Sequence, residues 1–276
     1  MKKVWFITGA SKGLGLALVK KLLAEGHSVA ATSRSFDSLV QAVGASSSSF
    51  LPLQVDLTSE SSVQQAITQT HQTFGKLDVI LNNAGYGIGG SIEELSDAET
   101  RTSFDVNVFA TLNVIRKAMP LLREQRSGHI INIASIAGFS ANTGWAIYSA
   151  SKFAVVGFSE VLAEDVRELG IKVTVLEPGA FRTSFLTEES LVFAQEQIAD
   201  YQSIRDSHDK YRHMNGTQIG DPDRAAEVIL SLTTMENPPV RLFMGSDAYK
   251  RATQKVNLLQ RELEEFKAIS YSTDFQ

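Results

Sequence analysis

The chain has 276 residues, 43% of them apolar, with a formal net charge of −5 and no cysteine. That apolar content is enough to bury a sizeable core and excludes wholesale disorder. The negative balance argues against a nucleic-acid partner held by phosphate neutralisation, and the missing thiols exclude disulfides and cysteine nucleophiles.

Strand-like and helix-like segments alternate through most of the chain. Val4 to Thr8 is an apolar run of strand length, followed by a glycine-rich turn from Gly9 to Gly15. Leu14 to Glu25 carries apolar residues at helical spacing, closed by Gly26. Ser28 to Thr32 and Phe50 to Val55 read as strands, separated by a loop whose tip is the serine run Ser46 to Ser49. Ser59 is a candidate cap for a helix reaching Phe74, and Leu77 to Leu81 is a fourth strand. Ala98 to Arg126 is helical in pattern, with an interruption or kink expected near Pro120. His129 to Ala134 is a fifth strand, Ser149 to Leu169 a helix and Ile171 to Leu176 a sixth strand. Phe185 to Gly220 is polar with scattered aromatics and suggests one or two surface helices. Asp221-Pro222 opens another helix, Arg241 to Met244 is a last strand and Asp247 to Lys267 a closing helix. This alternation predicts an α/β fold, a Rossmann-type doubly wound parallel sheet with helices on both faces. It is expected to form one domain over residues 1–276.

The chemistry-bearing residues follow strand ends. Thr8-Gly9-Ala10-Ser11-Lys12-Gly13-Leu14-Gly15 joins the first strand to the first helix, where glycines and free helix N–H groups suit a pyrophosphate. Its spacing differs from G-x-G-x-x-G, so the generic fingerprint does not carry the reading. After the second strand, where an NAD enzyme commonly places an acid, stand Ser33 and Arg34, with no acid before Asp37. With Lys12, Arg34 suits a ribose 2′-phosphate, which points to NADP(H). Tyr148 and Lys152 lie one helical turn apart if their segment is helical, so an ammonium stands near a phenol whose ordinary pKa is about 10. Such a neighbour is expected to favour the phenolate. The five histidines, His27, His71, His129, His208 and His213, show no metal-ligand spacing and are read as surface or loop residues. No metal site is expected.

Gly9, Gly13 and Gly15, Asn82-Asn83-Ala84-Gly85, Asn107, Ser135, Tyr148 with Lys152, Pro178-Gly179 and Thr183 occur in this order and spacing. Together they resemble the short-chain dehydrogenase/reductase family, in its shorter single-domain form, from Lys3 to about Thr183. The later part, with Gly245-Ser246-Asp247-Ala248, is more weakly similar to the hydroxysteroid and retinol dehydrogenase branch. The resemblance implies that Tyr148 is the catalytic acid/base and that Lys152 lowers its pKa and holds the nicotinamide ribose. It implies that Ser135 polarises the substrate carbonyl and that Asn107 kinks its helix and holds a proton-relay water. Asp56 and Leu57 are implied at the adenine. Asn82 is implied to steady the central strands, and Asn83, Ala84 and Gly85 to line the groove. Pro178, Gly179, Phe181 and Thr183 are implied near the nicotinamide and phosphates, with Ser11, Lys12 and Leu14 in the phosphate turn. Tyr86, Phe139, Trp145 and Phe185 are the expected substrate-pocket residues beside Ser135 and Tyr148.

The expected activity is NADPH-dependent reduction of a ketone or aldehyde, or the reverse oxidation, on a small-to-medium apolar substrate. A non-catalytic NADP(H) sensor is the main rival, but its signature would be loss of Ser135, Tyr148 or Lys152, and all three are present. An epimerase or dehydratase on a related longer fold would carry a larger C-terminal substrate domain. Residues 181–220 are too long for an ordinary connection and are expected to form a lid over the substrate. The resemblance implies a homo-oligomer, dimer or tetramer. A cytoplasmic location is expected, in keeping with the lack of cysteine. No run of about 18 apolar residues stands out, so no membrane span is expected.

Overall fold

The computed structural model describes residues 2–44 and 47–275. Ser46 of the expected loop tip lies outside them. Seven parallel strands form the main sheet in the order β3-β2-β1-β4-β6-β7-β9. They are β1 (Val4–Ile7), β2 (Ser28–Ser33), β3 (Phe50–Gln54), β4 (Val79–Asn82), β6 (Gly128–Ile133), β7 (Ile171–Pro178) and β9 (Arg241–Met244). Pro52 cannot donate to a ladder, and it sits in β3, the edge strand, where that loss is tolerated.

The period of two along β1 divides the core. Trp5 and Ile7 face the layer of α1 (Gly13–Ala24), α2 (Phe36–Val43) and α8 (Pro222–Leu232). Phe6 faces the layer of α3 (Glu60–Phe74) and α5 (Ala110–Gln125). All three side chains are fully buried. Burial on both faces explains why β1 reads as an unbroken apolar run. α6 (Ala146–Asp165) completes the second layer through Val155 and Val156, which meet Ala134 and Val175. It is the one helix among the described residues long and apolar enough, by length and composition, to cross a membrane. The sequence expectation overlooked it; here its apolar side packs on the sheet.

Three elements were not expected. α2 is a short helix capped by Ser35, whose side chain accepts from Ser38 N–H. β5 (Gly87–Gly89) and β8 (Leu191–Phe193) form a separate two-stranded parallel sheet. Residues 185–220 therefore hold one helix, α7 (Gln202–His213), within the one or two expected, and in addition a strand that was not expected. The interruption expected near Pro120 does not occur. α5 runs through Pro120, and the irregularity lies earlier, in a π-helical turn at Asp105–Phe109 that joins α4 (Asp97–Phe104) to α5. The extra residue of a π turn rotates Asn107 inward, where it is 1% exposed. After β9 come α9 (Ser246–Glu265) and α10 (Lys267–Tyr271).

Candidate active site

Strand order reverses on either side of β1, and the loops at the carboxyl ends of β1, β4 and β6 part there. They open onto a cavity of about 1130 Å³. At one end lie Lys12, Ser33, Arg34, Asp56 and Leu57; in the middle Gly9, Ser11, Gly13, Leu14, Asn83, Ala84 and Gly85; at the other end Ser135, Tyr148 and Lys152. Pro178, Gly179, Phe181 and Thr183 close one side.

The glycine turn is shaped by close approach. Gly9 has φ +63°, and a Cβ there would lie 2.8 Å from Ala84 Cα. The Thr8 hydroxyl accepts from Asn83 N–H and Ala84 N–H at 2.9 and 3.1 Å, and Asn83 Nδ2 donates to Gly9 O at 2.9 Å. Asn83 thus clamps the turn to the end of β4. Gly15 was expected to touch the cofactor but does not line the cavity; a Cβ there would meet Asn83 Nδ2 at 2.6 Å and Gly9 O at 2.7 Å, so it serves packing behind the turn. α1 has no side-chain cap, whereas α2, α3 and α4 are capped by Ser35, Ser59 and Ser96. An uncapped helix N-terminus facing a cavity fits a phosphate, so these residues suit a dinucleotide.

At the adenine end, Asp56 accepts from Thr58 N–H and Oγ at 2.9 and 2.6 Å. The Thr58 hydroxyl, then its N–H, holds that carboxyl below the usual range. Asn113, unnoticed in the sequence, fixes the same loop by donating to Leu57 O at 3.1 Å. Lys12 is paired with Glu189 at 3.2 Å across the cleft.

Tyr148 lies in the first turn of α6 and Lys152 one turn later, both buried. Lys152 Nζ donates to Ile133 O at 3.1 Å and stands 5.9 Å from the Tyr148 ring centre. Burial pushes the lysine down to about 8 and the tyrosine up to about 12, the Ser135 hydroxyl opposing part of the latter by hydrogen bonding. The expected lowering of Tyr148 is therefore absent from this geometry: desolvation outweighs an ammonium directed at a carbonyl. Ser135 follows β6 and caps a short 3₁₀ turn at Ile136–Gly138. Asn107 sits behind the cavity, exchanging 3.0 Å hydrogen bonds with Tyr86 N–H and C=O. Its Oδ1 is the atom a Cβ on Gly85 would meet at 3.0 Å, with Lys152 Nζ at 3.4 Å. Asn82 donates to Asn132 Oδ1 at 2.8 Å, tying β4 to β6 as the resemblance implied.

The pocket beside Tyr148 is aromatic. Trp145 packs on Tyr148 and Tyr211 at ring distances of 6.4 and 4.8 Å, and Phe185 approaches Tyr148 at 6.0 Å. Tyr86, Trp145 and Phe185 line it as expected, together with Tyr211 and Met214 from α7 and its end. Phe139 does not. It packs on Phe243 at 5.2 Å under the Arg241 guanidinium, on the far side of the 3₁₀ turn. Two histidines depart from the surface-or-loop reading: His129 in β6 and His208 in α7 are buried, whereas His27, also buried, does lie in a loop, between α1 and β2. His129 faces Thr174 at 2.9 Å, and burial pushes its imidazole down to about 3. His208 packs between Trp145 and Phe193.

Asp247 was missed. Its Oδ2 accepts from Ala180 N–H at 2.8 Å, its Oδ1 is buried without a hydrogen-bond partner, and a Cβ on Gly179 would meet Oδ1 at 2.2 Å. It supports the turn after β7 from below, and the Gly-Ser-Asp-Ala quartet was its only sequence signal.

The short chain dehydrogenase family model matches residues 3–191. The chain belongs to this family. The dehydrogenase is 35% identical over 248 residues to a 3-ketodihydrosphingosine reductase of Bacteroides thetaiotaomicron, covering 88% of each chain. It is 34% identical to a short-chain dehydrogenase crystal structure from Streptomyces avermitilis, covering all of both chains with a TM-score of 0.91. A 3-ketoacyl-(acyl-carrier-protein) reductase from Brucella melitensis, solved with NADH, is 25% identical with a TM-score of 0.73 over 91% of this chain and 98% of its own. The dehydrogenase is thus an oxidoreductase of a nicotinamide cofactor.

Proposed function

We propose that the enzyme is an NADPH-dependent carbonyl reductase, or the reverse alcohol dehydrogenase, acting on a small-to-medium apolar substrate. One observation carries the reading. Ser135, Tyr148 and Lys152 meet at the aromatic end of a single cavity, and Lys12, Ser33 and Arg34 stand at its other end. Bound between them, the nicotinamide cofactor supplies hydride. Ser135 and Tyr148 donate to the carbonyl oxygen, and both act most strongly as negative charge develops there. Tyr148 then gives up its phenolic proton, and the Lys152 ammonium offsets the charge left on its oxygen. Asn107 orients the Tyr86 backbone and stands beside Lys152. Trp145, Phe185 and Tyr211 keep the reacting end apolar and exclude water.

The cofactor reading rests on Arg34 and the lack of an acid at the end of β2, together with Lys12 in the glycine turn. NADPH is expected to be preferred over NADH in kcat/KM, and Ser33→Asp with Arg34→Ala to move the ratio toward NADH. A panel of ketones, aldehydes and alcohols, followed by nicotinamide absorbance with each cofactor, tests both halves. Equal use of NADH by the native enzyme overturns the preference; no turnover with any carbonyl or alcohol overturns the activity.

The lysine sets a pH limit. With Lys152 pushed down to about 8 by burial, its charge in the free enzyme is present below that pH and lost above it. Cofactor kcat/KM is therefore expected to fall as pH rises through about 8, since that ratio reports free-enzyme groups. Lys152→Met should lower the plateau and remove this limb.

We further read residues 181–220 as a substrate lid, though an anchored one. Arg205 pairs with the buried Glu94, whose carboxylate also accepts from Ile198 N–H at 2.8 Å, and β8 pairs with β5. The movable part is then Thr183 to Ser190, held across the cleft by the exposed Lys12–Glu189 pair. Hydrogen exchange should slow there when cofactor and substrate analogue bind, and change little in β8 and α7. Equal exchange with and without ligands makes the segment scaffold.

A further inference from the structure

α9 begins on the body of the protein and then leaves it. Ala248 and Ala252 are its only buried residues, packed with Ile136, Phe139 and Phe243. From Val256 to Phe275 every residue is exposed. Ala248, Ala252, Val256, Leu259, Leu263 and Phe266 follow at intervals of four, four, three, four and three, so they form one stripe along the helix. The stripe that seats the first two turns thus continues as an uncovered apolar seam, with Val256 50%, Leu263 73% and Phe266 49% exposed. From Val256 onward the helix buries none of its apolar face, although such burial is where helices in proteins draw most of their stability. Something has to cover it.

We propose that a second copy of this chain covers the seam, its own arm lying antiparallel across a two-fold axis. The charges are self-complementary in that arrangement. Lys250, Arg251 and Lys255 outweigh Asp247 in the first half of the helix, and Glu262, Glu264 and Glu265 outweigh Arg261 in the second. Lys255 and Glu262 flank the stripe on the same side, seven residues apart. Centring the crossing between Val256 and Leu259 sets Val256 of each copy against Leu259 of the other, and Lys255 against Glu262 twice. A parallel pair would instead stack like on like. An anionic membrane surface fits less well, because three glutamates crowd the outer half of the arm. The family resemblance implies an oligomer without saying which face makes it; the seam assigns one.

The test is the mass of the intact protein by analytical ultracentrifugation. Leu259→Glu with Leu263→Glu should lower the assembly by one two-fold step, raising its dissociation constant at least tenfold. Circular dichroism and nicotinamide binding should be unchanged, since neither residue lines the cleft. Lys255→Glu alone should loosen the assembly, and Lys255→Glu with Glu262→Lys should restore it, a rescue that only pairing between two copies predicts. A monomeric native protein, an unaltered mass in the double glutamate variant, or failure of the charge swap to restore assembly overturns the proposal. So does flotation with phosphatidylserine vesicles that depends on Leu259 and Leu263 while the mass stays constant.

Discussion

Tyr148→Phe should reduce turnover by about 10² or more, the usual scale for losing a general acid. Phenylalanine keeps the ring against Trp145 and Phe185, so packing around the 6.4 and 6.0 Å ring contacts survives. What disappears is one hydroxyl that donates to the substrate oxygen and then supplies its proton. Cofactor binding should persist within a few-fold, because Lys152 and the glycine turn are untouched. The measurement is single-turnover hydride transfer beside cofactor affinity by fluorescence titration. Turnover within tenfold of native, in a folded variant that binds cofactor, would falsify the role given to Tyr148. Ser135→Ala offers a graded comparison: it removes one of the two donors to the same oxygen and should cost less than Tyr148→Phe.

The second large effect is expected at Gly179. A methyl group there would lie 2.2–2.4 Å from all three carboxyl atoms of Asp247. Asp247 is short and held by Ala180 N–H, so the carboxylate has to give up that hydrogen bond or the turn has to rise into the cleft. Gly179→Ala should weaken cofactor binding by about tenfold to a hundredfold, a loss of order 1.4–2.8 kcal/mol. Asp247→Ala should cost less. Combining the two should restore part of the loss, because the collision is gone; residues in direct contact couple in this way. Cofactor Kd for the native enzyme and the three variants gives the cycle. Additive losses would mean that Asp247 and Gly179 do not act on one another.

Regular alternation made the sheet legible: β1 and β4 read as apolar runs because both faces are buried, and β6 and β7 keep enough apolar residues around His129, Asn132, Lys172 and Thr174 to read as strands. The chemistry at strand ends was legible for the same reason: Tyr148 and Lys152 share a helix face by spacing alone. What failed was direction. Phe139 lies between Ser135 and Tyr148 in the chain, but the 3₁₀ turn at Ile136–Gly138 carries it to the opposite side, against Phe243. Gly15 sits in the right motif, yet its missing side chain makes room for Asn83 and not for a ligand. Gly87-Ile88-Gly89 has a loop's composition, and only pairing with Leu191–Phe193 turns it into a strand. The buried histidines were misread because polarity alone says nothing of a partner such as Thr174 or the Gly144 carbonyl. Asp247 was hidden by distance along the chain.

That distance matters for how the protein is made. The turn at Gly179–Ala180 is supported by Asp247, and Gly179 N–H donates to Met244 O at 2.8 Å. Both supports belong to the last strand and the first turn of α9. At roughly 5–20 residues per second, synthesis reaches them about 3–13 s after the turn itself. A nascent chain can therefore expose its glycine turn and β1 to β4 while both α8, which covers one face of β1, and the support beneath Gly179–Ala180 are still to come. Ligand-driven stabilisation then arrives late, as a check on the finished polypeptide rather than as a template for it.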